Sequence, residues 1–390
     1  MTKPSALTTN WNYPTAMHIG EGRIREIADI CKAHAINNPL VVTDEGAAAL
    51  PFTAEILDIC KEGGLNVALF SDVPSNPTDG CIEVGAQVFR DGKHDGVIAL
   101  GGGSGLDAGK AIALLAGQRR PLADFEDVGD NWLRANEGTI APTIAVPTTA
   151  GTGSEVGRAS VITFTEKHEK KIIFHPKMMP VAVIGDPALA VGLPAGLTAA
   201  TGVDAFTHCF EAYCAPSYHP MADGIALEGM RLIKEWLPVA YADGSNIEAR
   251  THMLVAASMG ATAFQKGLGA VHSLSHPVGA VYNAHHGLAN AIFLPYVMEE
   301  NRLVIEDKMV PLASYLGLEG GYDGVLAWVL KLRRDLGIPA GAESLGLKKE
   351  DIPMLAEAAL NDPTMGGNPQ PLTADQLAAL YTRSLDDPLR

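Results

Sequence analysis

GVIALGGGSGLDAGKAIALLAG, residues 96–117, is the stretch that decides the fold. Its first five residues form a continuous apolar run of strand length, which leads directly into a glycine turn and then into AIALLAG, a helical run. Strand, glycine turn and helix form the opening unit of a nucleotide-binding α/β fold. Gly103-Ser104-Gly105-Leu106-Asp107-Ala108 satisfies the GxGxxG/A pattern. In such a turn the bare backbone can approach a pyrophosphate, whose charge rests on the N–H groups and dipole of the following helix. A plain tight turn is the competing reading. A Walker A loop is excluded, because Ser104 stands where a glycine is needed and Ala111, not Ser or Thr, follows Lys110.

Outward from this unit, PLVVT (39–43), NVALF (66–70), TIAVP (143–147), SVITF (160–164) and VAVIGD (181–186) also read as strands. Most are unbroken apolar runs, as expected of parallel strands covered on both faces. Helical stretches over 53–63, 82–91 and 105–116 separate them, so the pattern predicts an open, doubly wound, mostly parallel sheet of Rossmann-like type. Beyond Asp186 the texture changes. DPALAVGLPAGL reads as a hinge, and helices are expected over 198–213, 222–236, 247–264, 324–336 and 374–385. The division is therefore an α/β nucleotide-binding domain over 1–190 and an all-α domain over 191–390.

The 390 residues include 29 Lys and Arg against 45 Asp and Glu, a net charge of −16. That length exceeds what one core usually supports. Strong acidity argues against nucleic acid or an anionic membrane as partner, since phosphate binding needs clustered basic residues. No stretch approaches the apolar length of a membrane span. Five cysteines with no CxxC pair, and a beginning (MTKPSALTTNWNYP) without a secretory apolar core, lead to the expectation of a cytoplasmic, reducing location.

Four features carry chemistry. Asp44 closes the strand PLVVT, where its carboxylate can accept from an adenosine ribose or cap the next helix. Pro147-Thr148-Thr149-Ala150-Gly151-Thr152-Gly153-Ser154-Glu155 places hydroxyls and bare amides at another strand end. Asp204 and His208 lie four residues apart, on one face of a helix, a spacing that can chelate one ion or form an ordinary helical pair. Further on, VHSLSHPVGAVYNAHHG holds four of the twelve histidines: His272, His276, His285 and His286. Such crowding in an apolar segment points to metal ligation or proton transfer. In one straight helix His272 and His286 would stand about 21 Å apart. To share an ion the chain must turn back, and Pro277, Gly279, Asn283 and Gly287 offer the breaks. Imidazoles with a carboxylate and no thiolate suit Fe²⁺ or Zn²⁺.

Taken together, GGGSGLDAGKAIA, PTTAGTGSEV, the Asp and His of DAFTHCFEAY, and HSLSHPVG followed by HHGLANAIFLP resemble the iron-dependent (group III) alcohol dehydrogenases, the family that includes bacterial lactaldehyde reductase. The resemblance spans nearly the whole chain. It implies a dehydroquinate synthase-like architecture with an active site in the cleft between the two domains. The implied metal ligands are Asp204, His208, His272 and His286, with His276 at a position associated with proton transfer. NAD would meet Asp44, Gly102, Gly103, Ser104, Asp107, Thr148, Thr149, Thr152 and Lys171. His285 stands where many members have proline, and reads as an orienter or bystander.

The expected activity is reversible oxidation of a small alcohol to its aldehyde or ketone, with a divalent metal (Fe²⁺ first, Zn²⁺ second) and NAD. Arg158 and Lys266 suggest a carboxylated substrate, with structural ion pairs as the competing reading. A dehydroquinate synthase-like lyase or a glycerol dehydrogenase-like enzyme is the alternative, and a metal-binding or nucleotide-sensing protein without turnover is the third reading. The segment WNYPTAMHIG (11–20) alternates as an edge strand could, and a homodimer is expected.

Overall fold

The computed structural model describes residues 14–166 and 169–389. Residues 11–13 of the expected edge strand lie outside them. The chain forms two compact units, Pro14–Gly192 and a second beginning at Leu193.

The first unit carries eight strands: β1 (Ala16–Ile19), β2 (Pro39–Val42), β3 (Ala68–Phe70), β4 (Gly96–Gly101), β5 (Thr143–Pro147), β6 (Ala159–Phe164), β7 (Glu169–Phe174) and β8 (Ala182–Gly185). Six make a parallel sheet in the order β1-β8-β5-β4-β2-β3. Its helices are α1 (Ile27–Ala33), α2 (Glu45–Ala48), α3 (Pro51–Glu62), α4 (Asp79–Asp91) and α5 (Gly103–Leu115). β2, β4, β5 and β8 are buried along their whole length, which explains their unbroken apolar sequences. Alternation still divides the two faces of the sheet. Ile98 and Leu100 of β4 join Ile27, Ile30 and Ile56 in one core cluster. Val97 and Ala99 lie against α5 at Gly109, where a Cβ would come within 2.5 Å of the Ala99 methyl.

SVITF is a strand, but it does not enter the parallel sheet. As β6 it pairs with β7 in an antiparallel hairpin, with Ala159 opposite Phe174 and Phe164 opposite Glu169. β7 was not expected as a strand. Its sequence EKKIIF leaves the first half exposed or half-buried, so the apolar run that marks the other strands is missing.

Sheet order positions the nucleotide turn. From β2 the chain adds β3 on one side, then crosses to the other side for β4, β5 and β8. The carboxyl ends of β2 and β4 therefore flank the topological switch point, where open α/β sheets bind ligands. Asp44 follows β2 and Gly101–Ser104 follows β4.

The second unit is helical: α6 (Ala195–Cys214), α7 (Pro220–Ala242), α8 (Ile247–Ala263), α9 (Ala270–Tyr282), α10 (His286–Glu300), α11 (Arg302–Tyr315), α12 (Gly321–Asp335), α13 (Ile352–Leu360) and α14 (Ala374–Asp386). α6 is its central helix, with 16 of its 20 residues buried. A helix enclosed on all sides should be apolar all round. This one buries Asp204, His208 and Glu211 at i, i+4 and i+7, on one stripe. Buried polar groups need partners, so that stripe marks where other elements must deliver complementary atoms. The fold-back between His272 and His286 occurs at Asn283, which takes a left-handed conformation (φ 51°, ψ 32°) at the end of α9. Asn tolerates that region better than most residues. Pro277, expected as a break, instead lies inside α9.

A close approach at Gly105 gives a test of this geometry. A Cβ there would lie 2.3 Å from the Leu100 carbonyl oxygen. Backbone cannot yield as a flexible side chain does, so Gly105→Ala should cost about 1–3 kcal/mol. That corresponds to a melting midpoint lower by roughly 2–4 °C per kcal/mol. Gly80→Ala, in α4 with nothing within 4 Å, should be neutral or mildly stabilising. Thermal unfolding of both variants checks the contrast.

Candidate metal centre and nucleotide turn

Asp204 and His208 project from neighbouring turns of α6, His272 comes from the first turn of α9, and His286 opens α10. One donor atom from each lies within 4.8 Å of every other. Asp204 Oδ1 stands 3.8 Å from His208 Nε2, 3.9 Å from His272 Nε2 and 3.7 Å from His286 Nε2. A tetrahedral ion with bonds near 2.1 Å separates its donors by roughly 3.4 Å, so these spacings suit one shared cation. Asp204, His208 and His272 are buried, and His286 is half-buried. Among the described residues no Lys or Arg pairs with Asp204; the cationic partner that a buried carboxylate needs is left to an ion.

Local structure explains the convergence. A Cβ at Gly287 would fall 2.5 Å from the Ala200 carbonyl oxygen and 3.1 Å from Asp204 Cβ, so only glycine lets the start of α10 reach α6. His285 caps α10, its Nδ1 accepting from the Leu288 N–H at 3.3 Å. It therefore orients the helix that presents His286.

Three partners were not expected from the sequence. Glu211 accepts from His272 Nδ1 at 2.6 Å and from the Val271 N–H at 2.7 Å. The carboxylate cannot donate, so Nδ1 carries the proton and Nε2 turns its lone pair towards Asp204. Burial alone would lower the His272 pKa, but Glu211, with Asp204 and Asp362 behind it, holds it above the usual value. Asp362, in the loop after α13, accepts from His276 Nδ1 at 2.8 Å and from Thr364 N–H and Oγ1 at 2.9 and 2.5 Å. Burial raises the Asp362 pKa, yet His276 and Thr364 outweigh it and hold it below the carboxylate range. His276 itself lies one turn beyond His272 and stacks on the His286 ring with centroids 5.3 Å apart. The third partner is Asn290, which donates to Asp204 Oδ1 at 2.7 Å. Glu211 and Asn290 left a signal, since each repeats a helical spacing from a metal-site residue. Asp362 left none.

In the first unit, Asp44 Oδ1 accepts from the Ala47 N–H at 3.0 Å, which is the cap reading. Its other oxygen faces the turn, 3.2 Å from where a Gly101 Cβ would be. Thr148 N–H donates to the Gly101 carbonyl at 2.9 Å and extends the β4–β5 ladder. Missing side chains make room for the next threonines: a Gly102 Cβ would stand 3.2 Å from Thr149, and a Gly103 Cβ 2.7 Å from Thr152. Ser104 Oγ donates to the Ser75 carbonyl. The structure thus gathers Asp44, Gly102, Gly103, Ser104, Thr148, Thr149 and Thr152 around one helix start.

Two expected cofactor residues are occupied otherwise. Asp107 accepts from Ser154 Oγ at 2.5 Å and the Val161 N–H at 2.9 Å, and it pairs with the buried Lys110 at 3.3 Å. It braces the turn from behind. Lys171 pairs with Glu126 at 2.6 Å, while Lys170 bonds Asn76 Oδ1 at 2.9 Å and feels the Asp107 charge. Lys266 is also committed. Its ammonium donates to the Tyr213 carbonyl at 3.2 Å and pairs with Asp223 at 2.5 Å, at the carboxyl end of α6, where cations are favoured. Arg158 lies over the Phe174 ring, 5.4 Å from its centroid.

Removing the Glu211 carboxylate should loosen His272. Glu211→Gln is expected to weaken divalent-ion binding about 10- to 100-fold, as other such partners do. Competition with a chromophoric chelator measures it.

Comparison with known proteins shows the family of the chain. Residues 14–187 match the iron-containing alcohol dehydrogenase family, and residues 198–385 match the Fe-containing alcohol dehydrogenase family, C-terminal. The 4-hydroxybutyrate dehydrogenase of Cupriavidus necator is 38% identical over 384 residues, covering 96% of this chain and 98% of that protein. A crystal structure of 1,3-propanediol oxidoreductase superposes with a TM-score of 0.92 at 34% identity, covering 97% of this chain and 100% of that one. The sulfoacetaldehyde reductase of Bifidobacterium kashiwanohense, solved in complex with NAD⁺, superposes with a TM-score of 0.88 at 28% identity, covering 97% and 100%. With both units matched along nearly their whole length and the four-donor centre in place, this chain belongs to the iron-containing alcohol dehydrogenase family and is an oxidoreductase.

Proposed function

We propose that the protein interconverts a small alcohol and its aldehyde or ketone, using NAD and one divalent ion held by Asp204, His208, His272 and His286. The convergence of those four donors is the observation that carries the reading. Fe²⁺ is the favoured ion and Zn²⁺ the second. When bound, the ion supplies Lewis acidity to the substrate oxygen, and the nicotinamide supplies or accepts the hydride. Asp44, Gly102, Gly103, Ser104, Thr148, Thr149 and Thr152 hold the nucleotide. Asp107, which braces that turn, and Lys171, which pairs with Glu126, complete the set proposed for the nucleotide.

His276 moves the hydroxyl proton. Its Nδ1 is fixed by Asp362, so Nε2 is the nitrogen left to accept the proton, and the Asp362 carboxylate stabilises the imidazolium that results. The Asp44 carboxylate, facing the turn, would repel a 2′-phosphate and so favours NAD over NADP.

A carboxylated substrate is the finer reading. The relationship to 4-hydroxybutyrate dehydrogenase supports it, and Arg158 is the one cation still assigned to grip a carboxylate, since Lys266 is committed to α6. The protein is proposed to act in the cytoplasm as a homodimer joined through the β1 edge of the sheet. Among the described residues no helix is long and apolar enough to cross a membrane.

Protein purified without oxygen should carry one divalent ion per chain by elemental analysis. It should release NADH with 1-propanol, 1,3-propanediol or 4-hydroxybutyrate. Loss of both on replacing His208 with Ala is expected, and full turnover in that variant would refute the centre. His276→Ala should keep the metal but slow turnover by about 10²–10⁴, the usual worth of a positioned acid–base group. Asp44→Gly should relax the preference for NAD over NADP in kcat/KM. Arg158→Ala should lower kcat/KM for 4-hydroxybutyrate and spare 1-propanol.

A further inference from the structure

Asn290 lies in α10, one turn after His286, and is fully buried. Its Nδ2 donates to Asp204 Oδ1 at 2.7 Å and stands 3.1 Å from His286 Nε2 and 3.2 Å from His272 Nε2. One amide nitrogen thus approaches three of the four donor atoms of the centre. Its Oδ1 is buried and makes no hydrogen bond among the described residues. An orphaned acceptor in a packed interior is costly, and a leucine would fill the same space without that cost. The side chain is therefore explained by what its NH₂ group does.

Lone-pair counting shows which approach matters once an ion is present. A neutral imidazole nitrogen has a single in-plane lone pair, which an ion uses up. A carboxylate oxygen has two, so Asp204 Oδ1 can ligate an ion and still accept from Asn290. Of the three approaches, only the shortest persists as a hydrogen bond.

We propose that Asn290 is a positioning residue of the metal centre. Its N–H fixes the Asp204 carboxylate with Oδ1 turned to the shared centre, so that this donor is oriented before an ion binds. The proposal rests on the metal-centre reading above and extends it to a residue outside the four donors.

Co²⁺ is the probe, because its absorption reports coordination as well as occupancy. Affinity is measured by chelator competition for wild type, Asn290→Leu, Asp204→Asn and the double variant. Asn290→Ala and a thermal melt of each chain stand in if the leucine variant misfolds. Asn290→Leu should weaken Co²⁺ binding about 10- to 100-fold and alter the d–d absorption bands. In the Asp204→Asn background the same change should cost less than about threefold, because coupled residues are non-additive. Unchanged affinity and spectrum would overturn the proposal, as would an equal loss in both backgrounds. Wild type that fails to take up one Co²⁺ per chain would overturn the metal-centre reading instead.

Discussion

A carboxylate and three imidazoles must meet around one point, and the helical unit is arranged by that requirement. α6 is buried on every side yet carries a polar stripe of Asp204, His208 and Glu211. Each member has its partner: Asn290 and the histidines at Asp204, the shared centre at His208, and the Nδ1 of His272 at Glu211. Unpartnered, such a stripe would cost several kcal/mol by ordinary desolvation. The same stripe explains why Gly287 allows α10 against α6, why α9 ends at a left-handed Asn283, and why His285 caps the following helix.

The α/β unit obeys a different constraint. Parallel strands covered on both faces leave the chain only their carboxyl ends for polar work. Asp44, the glycine turn and the threonines after β5 all sit at such ends, around the switch point between β2 and β4. Behind them Asp107 and Lys110 form a buried brace that ties α5 to the start of the β6–β7 hairpin. Burial lowers the Lys110 pKa, and Asp107 and Glu155 oppose that shift without cancelling it.

Much of this was legible in the sequence, for reasons that also explain the failures. β2, β4, β5 and β8 announce themselves because burial on both faces demands apolar residues throughout. β7 does not, because half of it faces outward and carries charge. The histidine-rich segment and the Asp204–His208 pair stood out by crowding and by a shared helical face, whereas the choice of His272 and His286 among the four crowded histidines came from the family resemblance. Pro277 misled as a break, because proline can persist inside a helix that packing holds on its other sides. Asp362 lies 86 residues from His276, in a loop with no periodic pattern, and only the folded chain brings the two together. Lys266 shows the limit of charge near a motif: its ammonium is already spent on Asp223 and the Tyr213 carbonyl.

The central claim is the composition of the metal centre, and X-ray absorption at the iron edge reads that composition directly. Iron-loaded protein should show nitrogen and oxygen scatterers near 2.1 Å with the multiple-scattering signature of three imidazoles. A sulfur shell near 2.3 Å, from a cysteine such as the neighbouring Cys209, or a signature of fewer than three imidazoles would contradict the account.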